Sequence, residues 1–230
     1  MASRFWFLIA VASFAGCSGG SDQEYFEGVV YVDIEIDAHD PRISADLLYW
    51  WFGSTVTWTL KDGNYRLDYA DSDRQSIWYR VDENREYQLR SCDDHITWTA
   101  GEEKIVDIVS VRKLDETREI AGYATYGLEV VSRTENGNES TARYWYAPEL
   151  KVNPEWASEN RALGFDEIYR HIDSLIIGSE DENEVVSVKR FATRIDVRSV
   201  DESMLEIPDM EIRPSSIETL LSIPPCPMPL

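Results

Sequence analysis

The chain has 230 residues, enough for one domain with a sizeable core or for two small ones. Its 43% hydrophobic and 12% aromatic content argues against disorder. A formal charge of −21 argues against nucleic acid and anionic headgroups as partners, since a phosphate backbone needs a basic face and no Lys/Arg-rich run exists.

Residues 1–16 read as a signal peptide. Arg4 and the amino terminus are positive, Phe5 to Phe14 is apolar apart from Ser13, and small Ala15 and Gly16 follow. The apolar run is too short to span a bilayer, which takes about 20 helical residues. Phe14-Ala15-Gly16-Cys17 resembles the bacterial lipobox, so Cys17 is the expected lipidation site and mature N-terminus. Residues 17–23 are small and flexible, as a lipidated tether should be. Two acyl chains anchor stably where one would be marginal. The expected location is therefore the bacterial cell envelope, at the periplasmic face or the cell surface. Membrane association would come from the acyl anchor. The two other cysteines, Cys92 and Cys226, either pair in that oxidising compartment, pinning the C-terminal tail to the body, or stay free.

From Phe26 the pattern turns to period two. Phe26, Val30, Val32, Ile34 and Ile36 mark one face of a half-buried strand. Val56, Trp58 and Leu60 alternate with threonines, and Asp62-Gly63 then predicts a type I′ hairpin into Tyr65, Leu67 and Tyr69. Ile77 to Val81 and Tyr87 to Leu89 continue a meander, with further strands at 95–99, 104–112, 122–133 and 140–146. Asn136-Gly137 predicts another hairpin. Phe165, Ile168, Tyr169, Ile172, Leu175 and Ile176 recur at three and four residues, which predicts a helix, followed by a solvated acidic loop at 180–184. Residues 185–198 return to strand, with Val186 and Val188 out of phase with Phe191 and Ile195, as a bulge would make them. Ser215 with Glu218 reads as a capping box for a short helix in the proline-rich tail, residues 214–230. No linker interrupts residues 24–213, so they count as one domain.

Catalytic signals are missing. His39, His95 and His171 are scattered, and no GxSxG, HExxH, Walker or GxGxxG motif occurs. The acids beside Cys92 would raise its thiol pKa rather than activate it. Asp37 with Asp40, Asp71 with Asp73, and Asp93 with Asp94 lack the EF-hand order. No catalytic residue, metal or cofactor is expected. Aromatics are the stronger oddity. On a curved sheet Trp58, Trp78, Tyr79 and Trp145 could line an apolar concavity, or simply fill the core. Trp50-Trp51-Phe52, read as a loop, is a candidate partner or membrane contact.

Several segments carry a family resemblance. Phe26-Glu27-Gly28-Val29-Val30 follows the tether. Lys61-Asp62-Gly63-Asn64-Tyr65-Arg66-Leu67 resembles a "K-G-x-x-x-R" hairpin, and Glu119-Ile120-Ala121-Gly122-Tyr123 an "I-x-G-Y" strand start. Tyr144-Trp145-Tyr146-Ala147-Pro148-Glu149 resembles "W-Y-(T/A)-P-E", and Asp201 to Pro208 a closing "D-x-x-x-F-x-x-P". Over residues 24–213 the chain resembles small bacterial envelope proteins similar to the LolA/LolB-like lipoprotein carriers. The resemblance implies an α+β half-barrel, a curved antiparallel sheet wrapped around a helical plug. It implies a hydrophobic concavity as the working surface and carries over no catalytic residue. Where many of the group have a cysteine after the "I-x-G-Y" tyrosine, this chain has Ala124 and Thr125, so a disulfide there is absent. The expected function is binding of an apolar ligand, acyl chain or peptide without catalysis. The alternative is an assembly subunit that docks an envelope protein partner.

Overall fold

The computed structural model describes residues 24–134, 136–161, 164–183 and 185–228. The expected signal peptide and the whole tether, Cys17 included, lie outside them. Twelve strands form one open sheet: β1 Gly28–Ala38, β2 Thr55–Lys61, β3 Asn64–Ala70, β4 Arg74–Arg80, β5 Arg85–Arg90, β6 His95–Ala100, β7 Val106–Ile120, β8 Tyr123–Thr134, β9 Glu139–Lys151, β10 Ser174–Glu182, β11 Val186–Val197 and β12 Glu211–Pro214. The order is β12-β6-β5-β4-β3-β2-β1-β11-β10-β9-β8-β7. Two meanders, β1 to β6 and β7 to β11, therefore join at the centre through the β1–β11 pair. Only β12 pairs in parallel, with β6.

The hairpins follow their turn chemistry. Lys61 pairs with Asn64 across Asp62 and Gly63, whose φ values of 48° and 79° are those of a type I′ turn. Ile120 pairs with Tyr123 across Ala121 and Gly122, also at positive φ, 50° and 83°. β11 does carry a bulge, but past Phe191 rather than ahead of it: Val186, Val188 and Ala192 share one face without a slip, and Phe191 points to the other. The β1–β11 register slips between Tyr31 and Val32, which face Arg194 and Ala192, leaving Thr193 extra.

Connection lengths force the sheet to curve. β6 and β7 are ten ladder steps apart, which in a flat sheet is about 48 Å. The chain joining Ala100 to Val106 spans at most about 22 Å. The two regions of the sheet must curl toward each other. The far tip of the β7–β8 hairpin also folds back over the outer face: Arg118 of β7 pairs with Glu180 of β10 at 2.9 Å and lies 4.0 Å over the Phe191 ring of β11.

Helices are short: α1 Ala45–Phe52, α2 Phe165–Ile168 and α3 Ile217–Ser222. Ser44 caps α1 by accepting from the Leu47 amide at 3.2 Å, and Gly53 ends it at φ 80°. The cap of α3 is Ser216, one residue later than Ser215. Two sequence expectations are corrected. The helix expected through Ile176 stops at Ile168, because residues from Ser174 onward pair with β9 and β11 as β10. Accordingly, Glu180 to Glu182 belong to a strand rather than to a solvated loop. No long helix plugs the sheet. The space inside it is occupied by residues 152–161 and 164–173, largely irregular apart from α2 and a 3-10 turn at Pro154–Ala157. No helix among the described residues is long and apolar enough to cross a membrane.

Candidate functional site

Period-two alternation and register place one row of side chains on the inner face. Val32 of β1 faces Val56 of β2, which faces Tyr69 of β3; Trp58 faces Leu67. On the other side Arg190 of β11 faces Ser179 of β10, which faces Tyr144 of β9. Opposite this wall lies segment 152–173. Asn153 caps its 3-10 turn by accepting from the Glu155 amide at 3.0 Å. Trp156 lies flat over Gly63, where a Cβ would come within 2.6 Å of the indole, so the hairpin glycine serves both the turn and this contact. Arg161 donates its amide to the Gly101 carbonyl at 2.7 Å, tying the segment to the β6–β7 connection. Gly164 is left-handed at φ 72°, and Ile108 of β7 fills the place of its Cβ. Phe165 and Tyr169 then project from one side of α2, ring centres 6.3 Å apart.

Between sheet and segment is a cavity of about 220 Å³ lined by Trp58, Tyr65, Leu67, Phe165, Tyr169 and Arg190 among others. A second, of about 100 Å³, shares Trp58, Tyr65, Phe165 and Tyr169 and continues to Trp156 and Asn160. Drug-sized sites run to about 300–1,000 Å³, so each space suits a ring or a short chain rather than a whole lipid. The lining is chiefly apolar, with polar groups at its ends.

At one end Arg190 donates to Asp181 at 2.8 Å, and burial pushes the Asp181 carboxyl up. Toward the other end the Tyr65 hydroxyl donates to Glu86 at 3.3 Å, and burial raises both groups. Tyr79 stacks on Tyr65 at 5.3 Å and donates to Asn84 at 2.9 Å; burial pushes it up to about 12. Tyr169 is likewise pushed up to about 12. These phenols stay protonated at neutral pH and act as donors, not bases. Among the described residues, the group that could hold a metal is Asp73 with Cys92 and Cys226. The two sulfurs are bonded to each other, so they offer no thiolate.

The aromatic residues singled out in the sequence scatter. Trp58 lines both cavities. Tyr79 is on the inner face but sits buried behind Tyr65. Trp78 points to the outer face, 1% exposed, in a cluster with Tyr87 and Ile96 that Ile207 and Met210 cover. Trp145 is also outside, between Gly127 and Gly178 on its neighbouring strands, with Arg118 5.6 Å over its ring. The indole nitrogens of Trp58, Trp78 and Trp145 are all buried without a hydrogen-bond partner. Trp50-Trp51-Phe52 is the last turn of α1, not a loop. Trp50 donates to the Cys226 carbonyl at 2.7 Å, Phe52 packs on the main core, and Trp51 is 39% exposed. Cys92 and Cys226 form a disulfide, so the C-terminal segment is tied to the β5–β6 connection. Buried Arg90 holds the same segment by donating to the Pro224 carbonyl at 2.7 Å.

Sequence reasoning missed Leu67, Tyr69, Phe165, Tyr169 and Arg190 as lining residues. The first two were readable: Asp62-Gly63 sets the hairpin register, which puts Leu67 opposite Trp58. The others depend on a segment whose position has no local signature.

No protein-family model matches the chain, and no curated protein does. Among solved structures it is similar to PNGF-II in two crystal forms. In the C2 form the identity is 13%, covering 84% of this chain and 32% of that one at a TM-score of 0.46. In the P21 form it is 14%, with 84% and 33% covered at a TM-score of 0.47. The chain thus spans about a third of the length of PNGF-II. LprF from Mycobacterium bovis is 10% identical over 76% of this chain and 88% of that one, at a TM-score of 0.33. Likenesses at these scores carry no argument about function, and the site is read from its own geometry.

Proposed function

We propose that this is a lipid-anchored bacterial envelope protein that binds a small apolar ligand, without chemistry, between the inner sheet face and segment 152–173. The observation that carries the reading is the cavity of about 220 Å³ walled by Trp58, Leu67, Phe165 and Tyr169. A 150 Å³ apolar cavity is already enough to hold benzene. Binding would draw on buried apolar area, at roughly 25 cal/mol per Å² removed from water. On this reading the sheet is the half-barrel of a carrier-like fold, with segment 152–173 in the place of its helical plug. Cys17 holds the domain at the membrane through its acyl chains.

Native mass spectrometry of the exported protein is expected to show a small apolar adduct, and an environment-sensitive dye should be displaced by it. A Leu67→Trp variant, which fills the cavity, should lose both. Only apoprotein, with a dye that binds wild type and variant alike, would sink the reading. For the anchor, Cys17→Ala should leave the membrane fraction; a variant that still pelleted after high-salt washing would disprove it.

Docking of an envelope protein partner is a second reading. Trp51 at 39% exposure, Ile223 at 37% and Met228 at 46% favour it, being apolar side chains close in sequence to the Trp50–Cys226 contact. Crosslinking that captured one fixed partner, lost on Trp51→Ala, would support it; no crosslink through this surface would remove it.

A further inference from the structure

We infer that the ligand is a chain of medium length carrying a carboxylate, held with its anionic head at Arg190 and its apolar tail pointing toward Trp58, Phe165 and Tyr169. This rests on the apolar-ligand reading above and adds the head, its orientation and the length.

Orientation follows from the two ends of the cavity. Arg190 is the cation in the lining of the 220 Å³ space and stands at its rim, its side chain 31% exposed. Ser179 and Tyr144, the next inner-face residues in the ladder, add neutral hydroxyls beside it. The Phe52 ring lies 5.7 Å from the guanidinium on its other side. At the opposite end stand the half-buried Glu86 carboxyl, reached through Tyr65, and the Asn160 amide. A second carboxylate placed there would meet like charge, so the head belongs at Arg190.

Asp181 neutralises Arg190 when the site is empty, and the two partners differ in how they can respond. A guanidinium cannot shed its charge, whereas a carboxyl can take up a proton. Partial burial pushes the Asp181 carboxyl up, against the pull of Arg190. Its side chain is 41% exposed, so it can turn to solvent when another carboxylate takes its place. An incoming head therefore exchanges one carboxylate for another at a guanidinium, with planar bidentate geometry available. In a protein of charge −21, binding an anion calls for a local cation of this kind.

Length follows from volume. Six benzene carbons occupy a 150 Å³ cavity, so 220 Å³ takes about nine. Decanoate is the matching probe and decanol its uncharged counterpart.

The test is calorimetric titration of full-length mature protein with both probes. Wild type should bind decanoate about tenfold more tightly than decanol, because Asp181 takes one guanidinium N–H and a bidentate head takes two, a net gain of one charge-assisted hydrogen bond. Arg190→Gln should remove that preference, read as the ratio of decanoate to decanol affinity within the variant. Asp181→Asn should raise the ratio of decanoate to decanol affinity above that of wild type, a gain that general loss of structure would not give. Equal affinity for both probes in wild type, or a preference that survives Arg190→Gln, would overturn the inference while the apolar-ligand reading stands. Binding of neither probe to wild type would sink both.

Discussion

Trp58 and Trp78 lie two strands apart on the same sheet and meet opposite fates. Trp78 faces outward, yet it is 1% exposed, because residues 200–210 lie across that face and Ile207 and Met210 close over Trp78, Tyr87 and Ile96. Trp58 faces inward, and its neighbours Tyr65, Leu67 and Tyr69 are only half-buried around unfilled space. The inside of a curved sheet would be expected to pack more densely than the outside. Around these two tryptophans the reverse holds. The covering piece on the outer face brings apolar side chains of its own, while segment 152–173 spans the inner face with two rings, Phe165 and Tyr169, over the cavity. Burial thus depends on what covers a face rather than on which way it curves.

That contrast can be broken by mutation. The largest effect is expected from Trp78→Ala, about 3–5 kcal/mol of stability measured by denaturant unfolding, since a closely packed cluster cannot refill the void. Trp58→Ala should cost less than half as much; equal costs would mean that the inner face is packed as tightly as the outer. Next, the Cys92–Cys226 bond closes a sequence separation of 134 residues. Cys92→Ser with Cys226→Ser should lose about 2–4 kcal/mol. It should also leave the Trp50 indole more accessible to a fluorescence quencher, because the carbonyl of residue 226 would no longer be held there. Unchanged quenching would show that Arg90 alone holds the tail.

Leu67→Phe is expected to be neutral or stabilising, because it adds carbon to open space, whereas Ile96→Phe in the outer cluster should destabilise by about 1–3 kcal/mol. Comparable losses at both positions would erase the distinction. The smallest effect concerns Glu86. Its folded pKa is raised above the unfolded value by burial, so the folded state binds the proton more tightly. Its contribution is favourable at low pH and declines as pH rises from the unfolded value, near 4.3, through the raised one. Glu86→Gln should therefore raise the unfolding midpoint at pH 7 and leave it nearly unchanged at pH 4. A midpoint lowered equally at both would mean that the introduced amide fails to accept from the Tyr65 hydroxyl.

Much of the sheet is legible in the chain. Alternation from Phe26 onward and the Asp62-Gly63 and Asn136-Gly137 turns place strands and hairpins where they are found; the dephasing of Val186 and Val188 against Phe191 instead marks Phe191 pointing to the other face, and the bulge falls beyond it at Thr193. The stretch from Phe165 to Ile176 misleads because two structures share one pattern. Phe165, Ile168, Tyr169 and Ile172 do face the interior at helical spacing. Leu175 and Ile176 continue that spacing by coincidence, in a strand that pairs with Ala147 and Tyr146. The run Leu175-Ile176-Ile177 ahead of Gly178 was a strand signal on its own terms. The candidate site was half legible. Alternation gives the face a tryptophan shares with its strand neighbours, but Trp58, Trp78 and Trp145 needed the ladder to be sorted between the two faces.

Local order comes from the chain alone: period-two strands, positive-φ hairpins and an acidic surface. These rest on interactions within a few residues, which composition and spacing express directly. Tertiary contacts settled the rest. The short β6–β7 connection curls the sheet, the β7–β8 tip covers Trp145, residues 200–210 seal Trp78, and segment 152–173 leaves space beside Trp58. Each of these depends on contacts between residues far apart in the chain, where closure is set by the length and path of the connections rather than by any local pattern.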